Sequence, residues 1–233
     1  MSLKNIKLKT PEYDDVLPST DSPIKFRPFT VAEEKLLLIA SESKDTKQVS
    51  NSMKQIIVNC TSQNPSILPY YDVEYLFTKI RSKSVGEQTQ IVSKCESCEE
   101  DNEVSIQLDN VKVIKNENHE KTIKISDELV FVFDDPTIDT ISSYDENTNS
   151  VDNIVSMICE TVKQVQMNEE INDVTPADKE DLKGLLEQLT TDQFQKISGF
   201  FDTMPKAVID YEFECSKCKH INKARVEGMH NFF

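Results

Sequence analysis

Cys95-Glu-Ser-Cys98-Glu-Glu-Asp-Asn102 and Cys215-Ser-Lys-Cys218-Lys-His-Ile-Asn222 are the two stretches that decide how this chain is built. Both follow one pattern, Cys-x2-Cys-x3-Asn, and each lies between two segments in which apolar and polar residues alternate. A period of two marks strands, so each stretch is expected at the tip of a β-hairpin. A tight turn with cysteines at this spacing points two sulfurs and nearby backbone N–H groups at one cation, the arrangement of a zinc knuckle. Two knuckles together supply four thiolates, a closed tetrahedral shell. Cys95, Cys98, Cys215 and Cys218 are therefore assigned as ligands of one structural Zn2+. A catalytic zinc keeps an open position, which four thiolates do not leave.

The long stretch from Glu99 to Glu214 is no obstacle to this pairing. Loop-closure entropy grows only logarithmically with length, whereas a structural zinc contributes on the order of 10 kcal/mol to folding. A redox reading expects one Cys-x-x-Cys at a strand-to-helix junction; here there are two, each followed by charged residues and a strand. His220 sits in a knuckle that already offers two sulfurs and is read as a surface residue. His119 and His230 lie in polar segments and are expected to face solvent. Cys60 and Cys159 fall on apolar helical faces, where a free cysteine acts as a small buried hydrophobe.

Away from the knuckles the pattern alternates between helix and strand. Ile6–Pro11 and Ile24–Phe29 are short alternating segments around a Pro/Asp/Ser-rich stretch, which suggests an N-terminal hairpin or arm. Thr30-Val-Ala-Glu33 is a capping box and opens a helix. Val49, Met53, Ile56, Ile57 and Cys60 line a second helix, and Val73, Leu76, Phe77 and Ile80 a third. Ile91, Val104, Ile106, Leu108 and Val111 flank the first knuckle with strand periodicity, which resumes at Ile123, Ile125 and Leu129–Phe133 and stops at Asp134-Asp-Pro136. Asp139–Ser150 reads as a polar loop. Helical spacing returns at Val151, Ile154, Val155, Ile158, Val162 and Val165. Thr175-Pro176 starts a helix carrying Leu182, Leu185, Leu186 and Leu189, and Phe194, Ile197, Phe200, Phe201 and Met204 line the last one before Pro205. The expected architecture is α+β, with helical lobes around a zinc-ribbon-like β unit built from two distant hairpins. Its parts are an N-terminal β arm and helical lobe (1–86), the first knuckle hairpin with its strands (87–136), a helical insertion (151–205) and the second knuckle hairpin (206–233).

Composition narrows the function classes. Among 233 residues, 41 acidic side chains oppose 26 basic ones, a formal charge of -15, and such a field repels nucleic-acid phosphates and anionic membrane surfaces. The longest apolar runs, such as Leu36–Ala40, are far shorter than the roughly 20 residues of a membrane-spanning helix, and Met1–Leu8 has no secretory pattern. An intracellular protein with neither membrane nor nucleic-acid partners is expected. No Gly-rich phosphate loop, Gly-x-Ser-x-Gly elbow or His-Glu-x-x-His helix occurs, so no enzyme is expected. The acidic clusters Glu99–Asp101 and Asp134–Asp135 read as solvated turns. Arg81 and Lys83 form a basic island in an acidic chain and are a candidate partner-binding surface.

The run Phe26-Arg-Pro-Phe-Thr-Val-Ala-Glu-Glu-Lys-Leu-Leu-Leu-Ile-Ala-Ser-Glu-Ser-Lys-Asp45, the segment Arg81-Ser-Lys-Ser-Val-Gly-Glu87 and the Cys95/Cys98 knuckle together resemble the baseplate hub proteins of T-even-like contractile-tailed bacteriophages. The likeness covers most of the chain and is strongest in residues 24–100. It implies a tail morphogenesis protein, either a component of the central hub or an assembly factor for it, working through contacts with hub and tape-measure proteins. It places the protein in the host cytoplasm during assembly and in the virion baseplate if retained. It transfers no active site. The alternative is a zinc-ribbon adaptor of a transcription or translation complex. An adaptor touching nucleic acid needs a basic ribbon face, whereas these hairpins carry Glu96, Glu99, Glu100, Asp101, Glu103, Glu212 and Glu214.

Overall fold

The computed structural model describes residues 8–43, 45–143, 150–168 and 170–228. They form two units, one from the described residues of Met1–Asn64, Asp72–Val113 and Ala207–Phe233, the other from Pro65–Tyr71 and Ile114–Lys206. Both cysteine pairs thus fall in the first unit, while the expected helical insertion, 151–205, shares the second with the strands of 122–133.

The first unit begins with an antiparallel hairpin, Tyr13–Leu17 (β1) with Ser22–Phe26 (β2), closed by a turn in which Asp21 takes φ 54°. The earlier alternating segment, from Ile6, lies partly outside the described residues. Three helices follow: Val31–Ser43 (α1), Thr46–Thr61 (α2) and Tyr70–Val85 (α3). Asp45 caps α2 by accepting from the Lys47 amide. The stripes read from helical spacing are buried except at Val49, which is half-buried; Ile56 and Ile57 of α2 and Val73, Leu76, Phe77 and Ile80 of α3 are fully buried. Gly86, at φ 127°, ends α3 in a conformation that side chains resist.

Glu33 in α1 is held from several sides. Its carboxylate accepts from the Thr30 amide at 2.6 Å, the Thr30 hydroxyl at 2.7 Å and the Arg27 guanidinium at 2.7 Å. Burial alone would push its pKa up, but Arg27 and Thr30 outweigh burial and hold it at about 2. A depressed carboxyl stabilises the fold above its unfolded value near 4.5, and that stabilisation fades as pH falls toward 2. Glu33→Gln should therefore cost roughly 2–3 kcal/mol at neutral pH. Denaturant midpoints of wild type and variant, followed with pH, should converge between pH 4.5 and 2; a pH-independent gap would refute the linkage.

After α3 come Gln88–Lys94 (β3) and Asp101–Gln107 (β4), paired antiparallel with Lys94 opposite Asp101 at the tip. Lys112–Ile114 (β5) follows. The chain returns to the first unit as Lys206–Glu214 (β10) and Ile221–Glu227 (β11), antiparallel with Glu214 opposite Ile221, and β10 lies between β11 and β5. Val104 and Ile106 of β4 alternate inward with polar residues between them. With Leu108 and Val111 they share one core with Ala207, Ile209 and Phe213 of β10 and Val226 of β11. Buried apolar area of this kind contributes about 25 cal/mol per Å2, so the two hairpins are joined by packing as well as by their tips.

The second unit is a four-stranded antiparallel sheet with helices on its apolar face. Its strands are Thr122–Lys124 (β6), Leu129–Phe133 (β7), Val162–Met167 (β8) and Glu170–Asp173 (β9), in that spatial order. Its helices are Ile138–Ser142 (α4), Ser150–Thr161 (α5), Lys179–Leu186 (α6) and Thr191–Thr203 (α7). Leu129, Phe131 and Phe133 alternate inward and meet Ile158, Leu182, Leu186, Ile197 and Phe200 from α5, α6 and α7.

Three local readings are corrected here. Val162 and Val165 do not continue α5; they sit in β8. Opposite them, Phe133 pairs with Val162 and Val132 with Gln164, so Lys163 is an extra residue at a bulge. The bulge puts two valines three residues apart on one face, which mimics helical spacing. The expected polar loop at Asp139–Ser150 contains α4, started by a reciprocal Thr137/Thr140 cap; residues 144–149 lie outside the described residues. His119 is not solvent-facing: it is half-buried, its ring tilted against Phe200 at 4.9 Å and its Nδ1 3.1 Å from the Thr203 hydroxyl. Thr175 and Asp178 do make the expected start, but as a 3-10 turn, Pro176–Asp178, leading into α6.

Candidate metal centre

The two knuckles have the same backbone. Cys95 N–H donates to Glu100 O and Cys215 N–H to His220 O, both at 2.9 Å, and the reverse bonds run from Glu99 N–H to Cys95 O and from Lys219 N–H to Cys215 O. Glu99 and Lys219, each just past the second cysteine, take φ 59° and 62°. That left-handed residue turns the chain back into the return strand. The tips of the β3–β4 and β10–β11 hairpins are thereby brought together.

Their sulfurs converge. Cys95 Sγ lies 3.6 Å from Cys218 Sγ, and Cys98 Sγ 3.6 Å from Cys215 Sγ. All four sulfurs lie within 4.8 Å of one another. These separations far exceed the ~2.05 Å of a disulfide. A tetrahedral zinc with bonds of about 2.3 Å would set its sulfurs roughly 3.8 Å apart, which the cluster matches. The four cysteines could therefore hold one metal ion, and the donor set of soft sulfurs suits zinc among the common divalent cations.

Electrostatics points the same way. Cys215 is pulled down to about 6, chiefly by the Cys218 and Lys217 backbone N–H groups, although burial opposes it. Burial likewise opposes ionisation of Cys95, yet the Ser97 and Cys98 amides and the Asn222 side chain bring its pKa below the ordinary thiol value. The Glu100 amide favours a thiolate at Cys98, but the neighbouring sulfurs dominate and push it up to about 12. Hydrogen bonds thus favour the thiolate at Cys95 and Cys215, and crowding of negative charge disfavours it at Cys98. A cation among them relieves that crowding.

Cys95 and Cys215 are buried, Cys98 is half-buried and Cys218 exposed. His220 is exposed and contributes only its backbone carbonyl to the turn. Cys60 is buried, its thiol pushed up to about 11 by burial, and Cys159 is half-buried with its thiol raised by the same cause. Residue His230 lies outside the described residues. The two asparagines that close the repeated pattern recur at one offset, and both side chains reach the opposite knuckle, a role that the hairpin pattern alone does not specify.

Arg81 and Lys83 lie near the end of α3, away from the cysteines in sequence. Lys83 donates to Asp109 and Glu87, which hold its ammonium charged above the usual lysine range. Arg81 is half-buried, and burial lowers its pKa. On the hairpins themselves the acidic residues are partly neutralised: Lys217 pairs with Glu100 at 2.7 Å, Lys223 with Glu212 and Arg225 with Asp210. Exposed pairs of this kind contribute little stability.

Residues 10–233 match the sequence model of the family described as T4 bacteriophage base plate protein. The chain belongs to that family. As a base plate protein it acts in a phage baseplate and associates with other baseplate proteins. No curated protein and no solved structure gives a significant match. The matched region contains both knuckles, so the cysteine cluster lies within the part of this base plate protein that the family describes. Among the described residues, no helix is long and apolar enough to cross a membrane.

Proposed function

We propose that this base plate protein is a non-enzymatic morphogenesis protein of the central hub, and that Cys95, Cys98, Cys215 and Cys218 hold one structural zinc. It serves either as a hub component or as an assembly factor that leaves before the tail is finished. The observation that carries the reading is the family match running from residue 10 to residue 233 and so through both hairpins. The chemistry of the cluster supports it: four sulfur donors fill a tetrahedral shell and leave no position for substrate. The net charge of -15 favours partners with basic surfaces, such as hub or tape-measure proteins, met in the host cytoplasm during assembly.

A phage carrying a nonsense allele of this gene tests the reading. Its lysates should accumulate baseplate parts without a completed hub, and the wild-type chain supplied in trans should restore tails. Completed hubs in the absence of the chain would refute the proposal. Quantifying the chain in purified virions then separates the two roles: stoichiometric amounts identify a component, and its loss from particles that needed it identifies an assembly factor.

A further inference from the structure

Asn102 and Asn222 occupy the same place in the two knuckles and are 6% and 1% exposed. A buried amide is costly unless its donors and acceptor are paired, and both residues satisfy theirs in the same crossed manner. Asn102 Oδ1 accepts from the Ser216 N–H at 2.8 Å, while its Nδ2 donates to Glu100 O at 2.8 Å and faces Cys215 Sγ at 3.8 Å. Asn222 Oδ1 accepts from the Glu96 N–H at 2.9 Å, and its Nδ2 donates to His220 O at 3.1 Å and faces Cys95 Sγ at 3.6 Å. Each side chain thus braces its own turn through a carbonyl two residues back. Each also grips the other knuckle at the amide after the first cysteine and at that cysteine's sulfur.

We propose that Asn102 and Asn222 form a reciprocal clasp that sets the two knuckles in register and makes the site two-sided. Their N–H groups face the buried sulfurs, Cys95 and Cys215, and hold them in place from the opposite knuckle, which makes these two ligands slow to exchange. Cys98 and Cys218 lie on the more open side, where a metal enters and leaves. They are the first sulfurs a chelator or oxidant reaches. The sidedness rests on the metal reading given above; the clasp does not.

The crossed geometry makes the test specific. Glu96 and Ser216 are surface residues whose amides would otherwise exchange quickly with solvent. In the full-length protein as isolated, both amides should be protected. Asn222→Ala should accelerate exchange at Glu96 at least tenfold while leaving Ser216 protected, and Asn102→Ala should do the reverse. Equal loss at both amides, or loss confined to the substituted knuckle, would overturn the clasp. Asn102→Asp and Asn222→Asp keep the acceptor oxygen but lose the N–H aimed at sulfur. Each should retain amide protection yet bind Co2+ about 10- to 100-fold more weakly; unchanged Co2+ affinity would overturn the role of the N–H groups. If the aspartate variants do not fold, 113Cd-loaded wild type decides: scalar coupling from the metal to the Asn side-chain amide protons supports those contacts, and its absence refutes them. A wild-type chain that binds neither Co2+ nor Cd2+ would sink the metal reading and the sidedness with it, while the exchange experiment still judges the clasp.

Discussion

Cys215→Ser should yield a protein without bound metal whose thermal transition lies at least ~10 °C below that of wild type. The residue is fully buried, its sulfur stands 3.6 Å from Cys98 Sγ, and the Cys218 and Lys217 backbone N–H groups pull its thiol down to about 6 against the opposing effect of burial. A serine hydroxyl stays protonated at neutral pH and offers a hard oxygen where a soft anion is needed. If a structural zinc contributes on the order of 10 kcal/mol, losing one of four ligands forfeits roughly 3 kcal/mol directly, and more if the metal leaves altogether. At about 2–4 °C per kcal/mol for a chain of this size, the direct loss alone is a shift of ~6–12 °C, and departure of the metal carries it past ~10 °C. Elemental analysis and melting with and without a chelator provide the check. Wild type should carry about one zinc per chain and melt lower when chelated, whereas the variant should melt at one temperature under both conditions. A variant with full metal content and an unchanged melting temperature would eliminate the four-thiolate centre. Cys218→Ser, at the exposed corner, should show a smaller loss, since water can complete the shell there.

The centre was legible because its signal is local and repeated. Two cysteines two apart, flanked by alternating strands, specify a hairpin tip wherever the hairpin lies, and the same eight-residue pattern occurred twice. The helices of the first unit were legible for a related reason: Val73, Leu76, Phe77 and Ile80 repeat at helical spacing and are all fully buried. What could not be read depended on partners distant in sequence. Val162 and Val165 have helical spacing, and only pairing with β7 shows that a bulge at Lys163 places both on the inner face of a strand. His119 lies among polar neighbours, Asn116 to Lys121, yet its environment is set by Phe200 and Thr203 on α7. Lys83 looked like free positive charge until α3 and the turn after β4 brought Asp109 to it. The two asparagines differ from these cases. Their recurrence was visible, but a side chain that serves the opposite hairpin has a purpose only once the hairpins face each other.

Phe200→Ala should be the most damaging single change in the second unit, at about 3–5 kcal/mol. The ring is 1% exposed and sits among three others: Phe133 stacked at 4.6 Å, Phe201 edge-on at 5.1 Å and His119 at 4.9 Å. Truncation removes the α7 anchor from the inner face of β7 and opens a cavity lined by Phe131, Phe133, Ile158 and Ile197, residues held by backbone pairing or helix packing that cannot collapse inward. Beyond lost burial, each aromatic pair contributes about 0.5–1.5 kcal/mol, so Phe200→Leu, which restores most of the volume without the ring, should recover part of the loss but not all of it. Denaturant melts of the two variants measure the difference, and hydrogen exchange at β7 and β8 amides should locate it in the sheet. Metal content should be unaffected, because every cysteine of the centre belongs to the first unit. A Phe200→Ala protein that loses zinc as fast as Cys215→Ser would show that the two units do not fold as separable blocks. One that loses less than 1 kcal/mol would show that the sheet keeps its packing without the ring.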